Sequence, residues 1–189
     1  DARTDNPEVI NVCSDDRKGC YLSTRYLINR GHKKIAFVAN YEGNPLLTDR
    51  FEGYRAAMEE SGLGCDPDCI FSYSPSYEEG IAAGKAIAAS ALKITGLVTT
   101  ADICAIGIME GARLGGLRIP TDLSVIGYDN LAVSTYTTPK LTTISQNVIK
   151  KAETAMELLL EKLSTGRVEQ PHVQLDVELV ERQSTLSLL

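Results

Sequence analysis

A short apolar stretch, Leu123–Tyr128, is followed directly by Asp129 and Asn130, whose side chains are suited to binding a ligand. The length of the stretch, its β-branched residues and the Pro/Thr/Asp turn before it predict a buried strand. In open α/β sheets, ligands bind outside the carboxyl ends of the strands, so Asp129 is a candidate binding residue. The alternative is that Asp129 only caps the turn that follows it.

Other predicted strands are also followed by side chains that form hydrogen bonds. These side chains are Asn40, Asn44, Arg50, Ser74, Ser76, Thr100 and Asp102. A guanidinium and a carboxylate together, as in Arg50 and Asp129, suit the paired hydroxyls or the carboxylate of a small polar ligand. The alternative for Arg50 is a salt bridge on the surface of its helix. The set as a whole predicts a binding site rather than a catalytic one.

The sequence lacks the motifs that support catalysis or nucleotide binding. It has no G-x-S-x-G nucleophile elbow, and no Walker loop or G-x-G-x-x-G turn follows a predicted strand. His32 lies at a predicted helix end, where it can bond the last carbonyls, and His172 lies beside Pro171. We therefore expect a protein that is not an enzyme and that needs no cofactor.

Strand-like and helix-like segments alternate along the first two thirds of the chain. The spacing predicts strands over 8–13, 34–39, 69–73, 94–99 and 123–128. Helices are predicted from a cap at 14–16 to 31, and over 48–61, 76–92 and 102–114. The first strand, helix and second strand form a predicted βαβ unit with a right-handed crossover. The regular alternation predicts a doubly wound α/β fold with a largely parallel sheet.

The predicted helix over 76–92 has two local features. Ser76 and Glu79 are spaced as a capping box, in which each side chain bonds the backbone N–H of the other residue. Gly80 and Gly84 lie one helical turn apart, and we expect them to let the helix pack close to the sheet.

The pattern of the chain changes after Asp129. The sequence predicts a polar loop to 139, an extended piece over 141–144, a periodic helix over 148–163, and short strands over 173–175 and 178–180. These elements follow a sheet that already appears complete in the pattern. They indicate a second layer or subdomain that is only partly present.

Composition limits the partners and the compartment that we expect. A formal net charge of −6 argues against a broad nucleic-acid face, which draws on clustered Lys and Arg. No apolar run approaches about 18 residues and no signal-peptide pattern occurs, so we expect neither a membrane span nor secretion. The five cysteines have no metal-ligand pattern, although Cys65 and Cys69 suit a bridge or half a zinc site. We expect reduced, structural cysteines, which fit a cytosolic protein.

Five local patterns occur in the order and spacing of one protein family. They are Asn29–Ala36, Arg50–Ala57, Ile119–Asp129, Pro139–Gln146 and Leu179–Thr185. In these patterns the chain resembles the LacI/GalR family of bacterial transcription regulators over essentially its whole length. The resemblance implies a periplasmic-binding-protein-like core of two α/β subdomains, with a small-molecule effector in the cleft between them.

The resemblance also implies a division of the chain. Residues 14–145 and 176–189 would form a nearly complete carboxyl-terminal subdomain, and residues 1–13 and 146–175 a partial amino-terminal one. The chain would be the effector-binding and dimerisation region of a cytoplasmic homodimer. It would bind DNA only through a helix-turn-helix domain that is absent from this chain. The alternatives are a periplasmic sugar-binding receptor of the same fold and an α/β enzyme of unrecognised type.

Effector-binding positions follow from the same resemblance. Arg50 and Asp129 occupy the two positions that the family uses most, and Asp1 matches a carboxylate that lines the cleft from the other subdomain. Asn44 falls where purine-type members use an arginine. These matches imply a polar effector held from both subdomains.

Three further positions depart from the family pattern. Ala101 replaces a frequent Asn, Pro75 stands where many members place a stacking aromatic, and Val148 replaces a frequent Phe. Sugar recognition by aromatic stacking is therefore less expected, unless Tyr73 or Tyr77 supplies the ring. The identity of the effector is left open by these positions.

Overall fold

The computed structural model describes residue 6 and residues 8–189. Within those residues the strands are β1 Asn11–Ser14, β2 Ile35–Val38, β3 Ile70–Phe71, β4 Gly96–Thr99, β5 Ser124–Asp129, β6 Thr142–Ser145, β7 His172–Leu175 and β8 Glu178–Val180. The α-helices are α1 Asp16–Asn29, α2 Pro45–Glu60, α3 Tyr77–Ala89, α4 Asp102–Leu114 and α5 Val148–Thr165. Single 3₁₀ turns cover Pro67–Cys69 and Ala132–Thr135.

Most of the strands form one sheet, in the order β3-β2-β4-β5-β6-β8. Its strands pair in parallel, except that β8 runs antiparallel to β6. The remaining two strands, β1 and β7, pair in parallel in a separate two-stranded sheet. The largely parallel sheet that the sequence predicted is therefore present.

Helices cover both faces of the larger sheet. Ile35 and Phe37 of β2 belong to a buried cluster that includes residues of α1 and α2, which pack against each other. Ala36 and Val38 belong to a second cluster, with residues of α3 and α4. Successive side chains of a strand point to opposite faces, so a strand that is apolar throughout must be covered on both sides. This arrangement confirms the predicted doubly wound α/β fold.

The prediction of a βαβ unit at the start of the chain is wrong. β1 pairs with β7, with Asn11 beside His172, whereas β2 lies in the six-stranded sheet. Apolar spacing shows that strands and helices alternate, but it does not identify the neighbour of a strand, and β7 follows far along the chain. Helix α1 therefore connects the two sheets instead of crossing over within one.

Helix α2 begins at Pro45, three residues before the predicted start at Thr48. The Asn44 side chain accepts hydrogen bonds from the N–H groups of Leu46 at 3.1 Å and Leu47 at 3.3 Å. Proline suits the first turn of a helix because its missing N–H would have no partner there. The Asn-Pro pair is thus a start signal within a segment that was predicted to be a loop.

Helix α3 differs from its predicted contacts in two ways. The Ser76 hydroxyl accepts the N–H of Glu79 at 3.2 Å, but the N–H of Ser76 donates to the carbonyl of Ser74 at 2.8 Å instead of to Glu79. The capping box is therefore formed in one half only. Gly80 and Gly84 pack against α4 rather than the sheet, since a Cβ atom at either position would collide with the α4 backbone.

The chain passes between the two sheets at three places. A side-chain hydrogen bond and a salt bridge connect these places to one another. The Ser14 hydroxyl, at the end of β1, donates to the Gln146 side-chain oxygen, between β6 and α5, at 3.1 Å. Lys18 Nζ lies 2.7 Å from the carboxylate of Asp176, between β7 and β8. These bonds lie beside the carboxyl ends of the sheet strands, where the candidate site is found.

Helix α5 packs loosely, and the structure buries none of its residues fully. Its exposed apolar side chains are Val148, Ile149, Met156, Leu159, Leu160 and Leu163. Among the residues described, no helix is both long enough and apolar enough to cross a membrane. All five cysteines are free thiols in this structure, and Cys65 and Cys69 are not bridged.

Candidate functional site

The candidate site lies where the strand order of the larger sheet reverses. From β2 the chain proceeds to β3 on one side and then to β4 on the other side of β2. The segments that follow β2 and β4 therefore diverge, and such a switch point opens a crevice at the carboxyl edge of the sheet. Helix α2 follows β2, and Thr100 follows β4.

Arg50 reaches across this switch point from α2. Its Nε and Nη2 atoms each lie 2.8 Å from Asp16 Oδ1, and its Nη1 donates to the carbonyl oxygen of Thr100 at 2.5 Å. Only 8% of Arg50 is exposed. The alternative of a surface salt bridge is therefore wrong, because the ion pair with Asp16 is buried.

The Tyr128 ring packs against the guanidinium of Arg50. The guanidinium carbon lies 3.7 Å from the centre of the Tyr128 ring, and the Tyr128 hydroxyl donates to Asp16 at 3.3 Å. Burial raises the pKa of Tyr128 well above its usual value, so the hydroxyl keeps its proton. Burial alone would lower the pKa of Arg50, but Tyr128 and Asp16 raise it. Gly19 makes this packing possible, because a Cβ there would collide with the tyrosine ring.

Asp129 ends β5 in an unusual backbone conformation. Its φ angle of 112° lies in a region that non-glycine residues rarely adopt, and such strain is concentrated at functional sites. Its Oδ1 accepts a hydrogen bond from Gln146 Nε2 at 2.5 Å. Burial raises the pKa of Asp129, while Arg50 and Gln146 lower it. Arg50 acts on Asp129 through its charge, while its guanidinium donates hydrogen bonds to Asp16 and to the carbonyl of Thr100.

Thr100 Oγ1 is buried and has no hydrogen-bond partner within the residues that the structure describes. The residue is 2% exposed, and its carbonyl is the one that accepts from Arg50. Buried hydroxyls almost always have a partner, and leaving one without costs about 1–3 kcal/mol. The hydroxyl therefore indicates a position at which a ligand or a water molecule supplies the missing bond.

Asp102 fixes the loop that follows Asp129. Its Oδ2 accepts the N–H of Leu131 at 2.7 Å, and its Oδ1 accepts the hydroxyl of Thr143 at 2.5 Å. The residue is fully buried. Burial raises the pKa of Asp102 to about 6, although the bonds from Thr143 and Leu131 oppose the shift.

This shift predicts a pH-dependent stability. Because the folded-state pKa of Asp102 lies above the unfolded value of 3.8, its stabilising contribution is present below that value and is lost as the pH rises through about 6. We expect Asp102→Asn to remove this loss, because the amide can accept from Leu131 and donate to Thr143. The variant should gain up to roughly 3 kcal/mol over the parent between pH 4 and pH 7.

Urea unfolding of the two proteins at both ends of this pH range measures the effect. Asp68→Asn offers a matched control, because it makes the same substitution at an exposed position. If the difference between Asp102→Asn and the parent stayed constant with pH, the assigned cause of the shift would be wrong.

The remaining predicted effector residues lie in different surroundings. The exposed Asn44 uses its side chain to cap α2. Ala101 is half-buried just before α4, and Pro75 is exposed in the loop before α3. Asp1 lies outside the described residues. For these residues an effector contact stays a prediction.

Four residues of the site were not predicted from the sequence. They are Asp16, Gln146, Lys151 and Arg182. Arg182 donates to the Asn130 side chain at 2.5 Å and to the carbonyl of Leu141 at 2.7 Å, which holds the loop after Asp129 from its other side. Asp16 follows the capping residue Asp15, so its sequence position suggested a second helix-start residue.

His32 is a structural residue, as predicted, although with other partners than the helix carbonyls. Its ring nitrogens lie 3.0 Å from the Thr95 hydroxyl and 3.0 Å from the carbonyl oxygen of Leu186. Burial lowers the pKa of His32, which favours the neutral ring. In the part of the chain that the structure describes, no group of three acidic, cysteine or histidine residues is arranged to hold a metal.

A concavity with a volume of about 420 Å³ lies beside α4, away from the switch point, against the segments 117–119 and 137–139. Its lining is mainly apolar and includes Tyr77, Ile106, Met109, Leu117, Ile119 and Pro139. Two of its charged residues, Glu110 and Arg113, form a salt bridge at 2.8 Å. It lacks the convergent polar groups that fix a polar ligand.

Comparison with known proteins gives the family. The model of a periplasmic binding protein-like domain matches residues 24–185. The HTH-type transcriptional repressor PurR of Vibrio cholerae serotype O1 is 31% identical over the whole chain, which covers 59% of that repressor. The chain thus spans between half and two thirds of the length of this curated relative.

Solved structures agree with the sequence comparison. A LacI family transcriptional regulator from Enterococcus faecium with bound ribose superimposes with a TM-score of 0.83 at 31% identity, over 94% of this chain and 65% of that one. The transcriptional regulator CelR in complex with cellobiose gives a TM-score of 0.87 at 25% identity, over 94% of this chain and 54% of that one.

These relatives are transcriptional regulators and not enzymes, as the predicted binding role requires. The matched family model covers the elements from within α1 to beyond β8, including the switch point with Arg50 and Asp129. The chain belongs to the periplasmic binding protein-like family, in the form of the effector-binding domains of LacI-type regulators.

Proposed function

We propose that this chain binds a small polar effector at the carboxyl edge of its six-stranded sheet, and that this binding controls DNA binding by a LacI-type regulator. The single observation that carries the proposal is the unsatisfied, buried hydroxyl of Thr100 beside Arg50 at the switch point. A site that leaves a buried polar group without a partner is destabilised until a ligand provides one.

The surrounding groups support a ligand that carries several hydroxyls. Asp129 presents a carboxylate, which accepts hydrogen bonds, and Gln146 holds it in place. Arg50 is fixed by Asp16 and Tyr128, so it needs little reorganisation when a ligand arrives. Two of the similar regulators hold ribose and cellobiose, which are molecules of this kind. The effector class that fits best is a sugar or a related polyol.

Calorimetric titration of the chain with ribose, glucose and cellobiose tests the proposal. We expect at least one of these to bind with a Kd of about 1 mM or tighter. Glycerol serves as the control, because it carries hydroxyls but offers only three of them to the site. Absence of binding by all three sugars, with the protein folded, would contradict the proposed effector class.

The assembly and the domain division belong to the same proposal. We propose that the regulator is a cytoplasmic homodimer. We also propose that residues 14–145 with 176–189, and the remainder, act as two subdomains joined at the three crossings. A ligand that contacts both subdomains favours one arrangement of them by its difference in affinity for the two arrangements.

The proposed homodimer is tested separately, because sedimentation velocity distinguishes a dimer from a monomer.

A further inference from the structure

The side-chain amide of Gln146 forms hydrogen bonds to both sheets of the protein. The residue follows β6 and is 8% exposed. Its Nε2 group donates to the carboxylate of Asp129, at the carboxyl end of β5, at 2.5 Å. Its Oε1 atom accepts from the hydroxyl of Ser14, the last residue of β1, at 3.1 Å. One buried amide thus joins the candidate ligand-binding carboxylate in the six-stranded sheet to a strand end of the two-stranded sheet.

The partners of this amide fix its orientation. A carboxylate only accepts hydrogen bonds, whereas an ammonium only donates them. Asp129 therefore requires the NH₂ end of the amide, and Lys151, whose Nζ donates to Oε1 at 3.1 Å, requires the oxygen. Turning the amide over would place its oxygen against the carboxylate and its NH₂ group against the ammonium. The amide is therefore held in one orientation, and a displacement of Asp129 is passed on to the oxygen end.

Ser14 extends this link into the two-stranded sheet. The residue is fully buried and pairs with Leu175 of β7. The backbone N–H of the next residue, Asp15, donates to the carbonyl of Leu175 at 2.9 Å. A two-stranded sheet is only marginally stable by itself, so the contacts at its ends determine how often it opens. Strand β7 is therefore the place at which a change at Asp129 should become visible.

We propose that Gln146 is a positioning residue that couples Asp129 to the two-stranded sheet, so that a ligand bound to Asp129 stabilises the pairing of β1 with β7. The inference rests on the proposed function, because it takes Asp129 as a ligand contact. A ligand that fixes the Asp129 carboxylate also fixes the Nε2 end of the amide, and through Oε1 it holds Ser14 in place. Coupling is reciprocal, so the ordered pair of strands should in turn favour the bound ligand.

A purely local role for Gln146 makes a different prediction. If the amide only satisfies the buried polar groups around it, removal of the Asp129 carboxylate changes the contacts of Gln146 and leaves the opening of β7 unchanged. If the amide transmits the change, removal of the carboxylate speeds the opening of β7, and it does so only while the amide is present. The opening of β7 therefore separates the two roles without any ligand.

Hydrogen exchange on the full chain, read by mass spectrometry on peptides that cover His172–Leu175, measures this opening. Asp129→Ala should speed exchange in β7 about tenfold, as expected when one hydrogen bond to a charged group is lost. In the Gln146→Met background, the same substitution should change exchange by less than about twofold. Ser14→Ala interrupts the link at its other end and should give the same result, which keeps the test decisive if the methionine variant does not fold.

Two further variants serve as controls. Gln183→Met makes the same substitution at an exposed position after β8. Lys18→Met removes the salt bridge to Asp176, which is a second connection between the sheets and does not include Gln146. In both backgrounds Asp129→Ala should keep its full effect on β7, because the link through Gln146 is intact.

Exchange in the presence of saturating ribose, glucose or cellobiose adds the ligand to the test. A sugar that binds should slow exchange in β7 about tenfold in the parent and leave it unchanged in Gln146→Met at saturation. The inference is overturned if Asp129→Ala has no effect on β7, or an equal effect in the parent and in Gln146→Met. A sugar that slows exchange in β7 equally in both proteins also overturns it. If none of the three sugars binds, the proposed effector class fails, while the ligand-free comparison still decides whether Gln146 couples the two sheets.

Discussion

Replacing Arg50 with methionine is expected to lower the free energy of unfolding by about 3–5 kcal/mol, which is the usual cost of removing one member of a buried ion pair. Asp16 would keep its carboxylate in a site where 1% of the residue is exposed. The Tyr128 ring would also lose the guanidinium that lies over it. Urea unfolding followed by circular dichroism measures the change.

The chain offers a matched control for this substitution. Arg113 forms an ion pair with Glu110 on the surface of α4, so Arg113→Met should cost less than about 1 kcal/mol. Adding Asp16→Asn to Arg50→Met should restore part of the lost stability, because the buried carboxylate that paired with the guanidinium is then neutral. If Arg50→Met were as mild as Arg113→Met, the buried ion pair would not be the support that we describe. A large loss also means that Arg50 variants cannot be judged by ligand binding alone.

Asp129→Ala is expected to affect binding while sparing the fold. A carboxylate that accepts one or two hydroxyl bonds contributes roughly 2–4 kcal/mol, so the affinity for a bound sugar should fall about 30- to 1,000-fold. The melting temperature should fall little, because burial already disfavours the Asp129 carboxylate in the free protein, as its raised pKa indicates. The bond to Gln146 is the contact within the protein that the variant loses.

Titration calorimetry and thermal unfolding on the same preparations separate the two effects. Asp68→Ala is the control. Asp68 is exposed and lies before β3, at the amino ends of the sheet strands, whereas Asp129 lies at their carboxyl ends. Its affinity for sugar should equal that of the parent. An Asp129→Ala variant that binds sugar as tightly as the parent would remove Asp129 from the site, whatever its effect on stability.

Much of the fold could be predicted because local pattern and global structure agree. Helix α4 begins at Asp102 and ends at Leu114, as its spacing and the glycines that follow predict. The apolar run of β2 is buried on both faces. The pairing of β1 with β7 could not be predicted, because neither sequence carries information about its neighbour.

The site was predictable to a smaller extent. Asp129 stands out because it lies at the carboxyl end of an apolar strand, where open α/β sheets bind ligands, although capping of the next turn explained it equally well. Asp16 does not, because its sequence position fits a helix start, and its role depends on Arg50 being folded against it. Lys151 has the appearance of a solvated helix residue until the turn of the chain after β6 brings it to Gln146.

The Thr100 hydroxyl gives the most direct test of the central claim, which is that the sheet edge is built for a ligand at some cost in stability. Thr100→Val keeps the shape of the side chain and removes the oxygen that lacks a partner. The exposed Thr121 is the control, since Thr121→Val should change neither stability nor binding. Calorimetric titration with the bound sugar and urea unfolding are made on all three proteins.

We predict that Thr100→Val unfolds with a free energy about 1–2 kcal/mol higher than that of the parent, and that it binds the sugar about tenfold more weakly. The variant should therefore gain stability and lose affinity, as expected for a hydroxyl that finds its hydrogen-bond partner only in the ligand. A Thr100→Val variant that is less stable than the parent and binds the sugar with unchanged affinity would contradict the account.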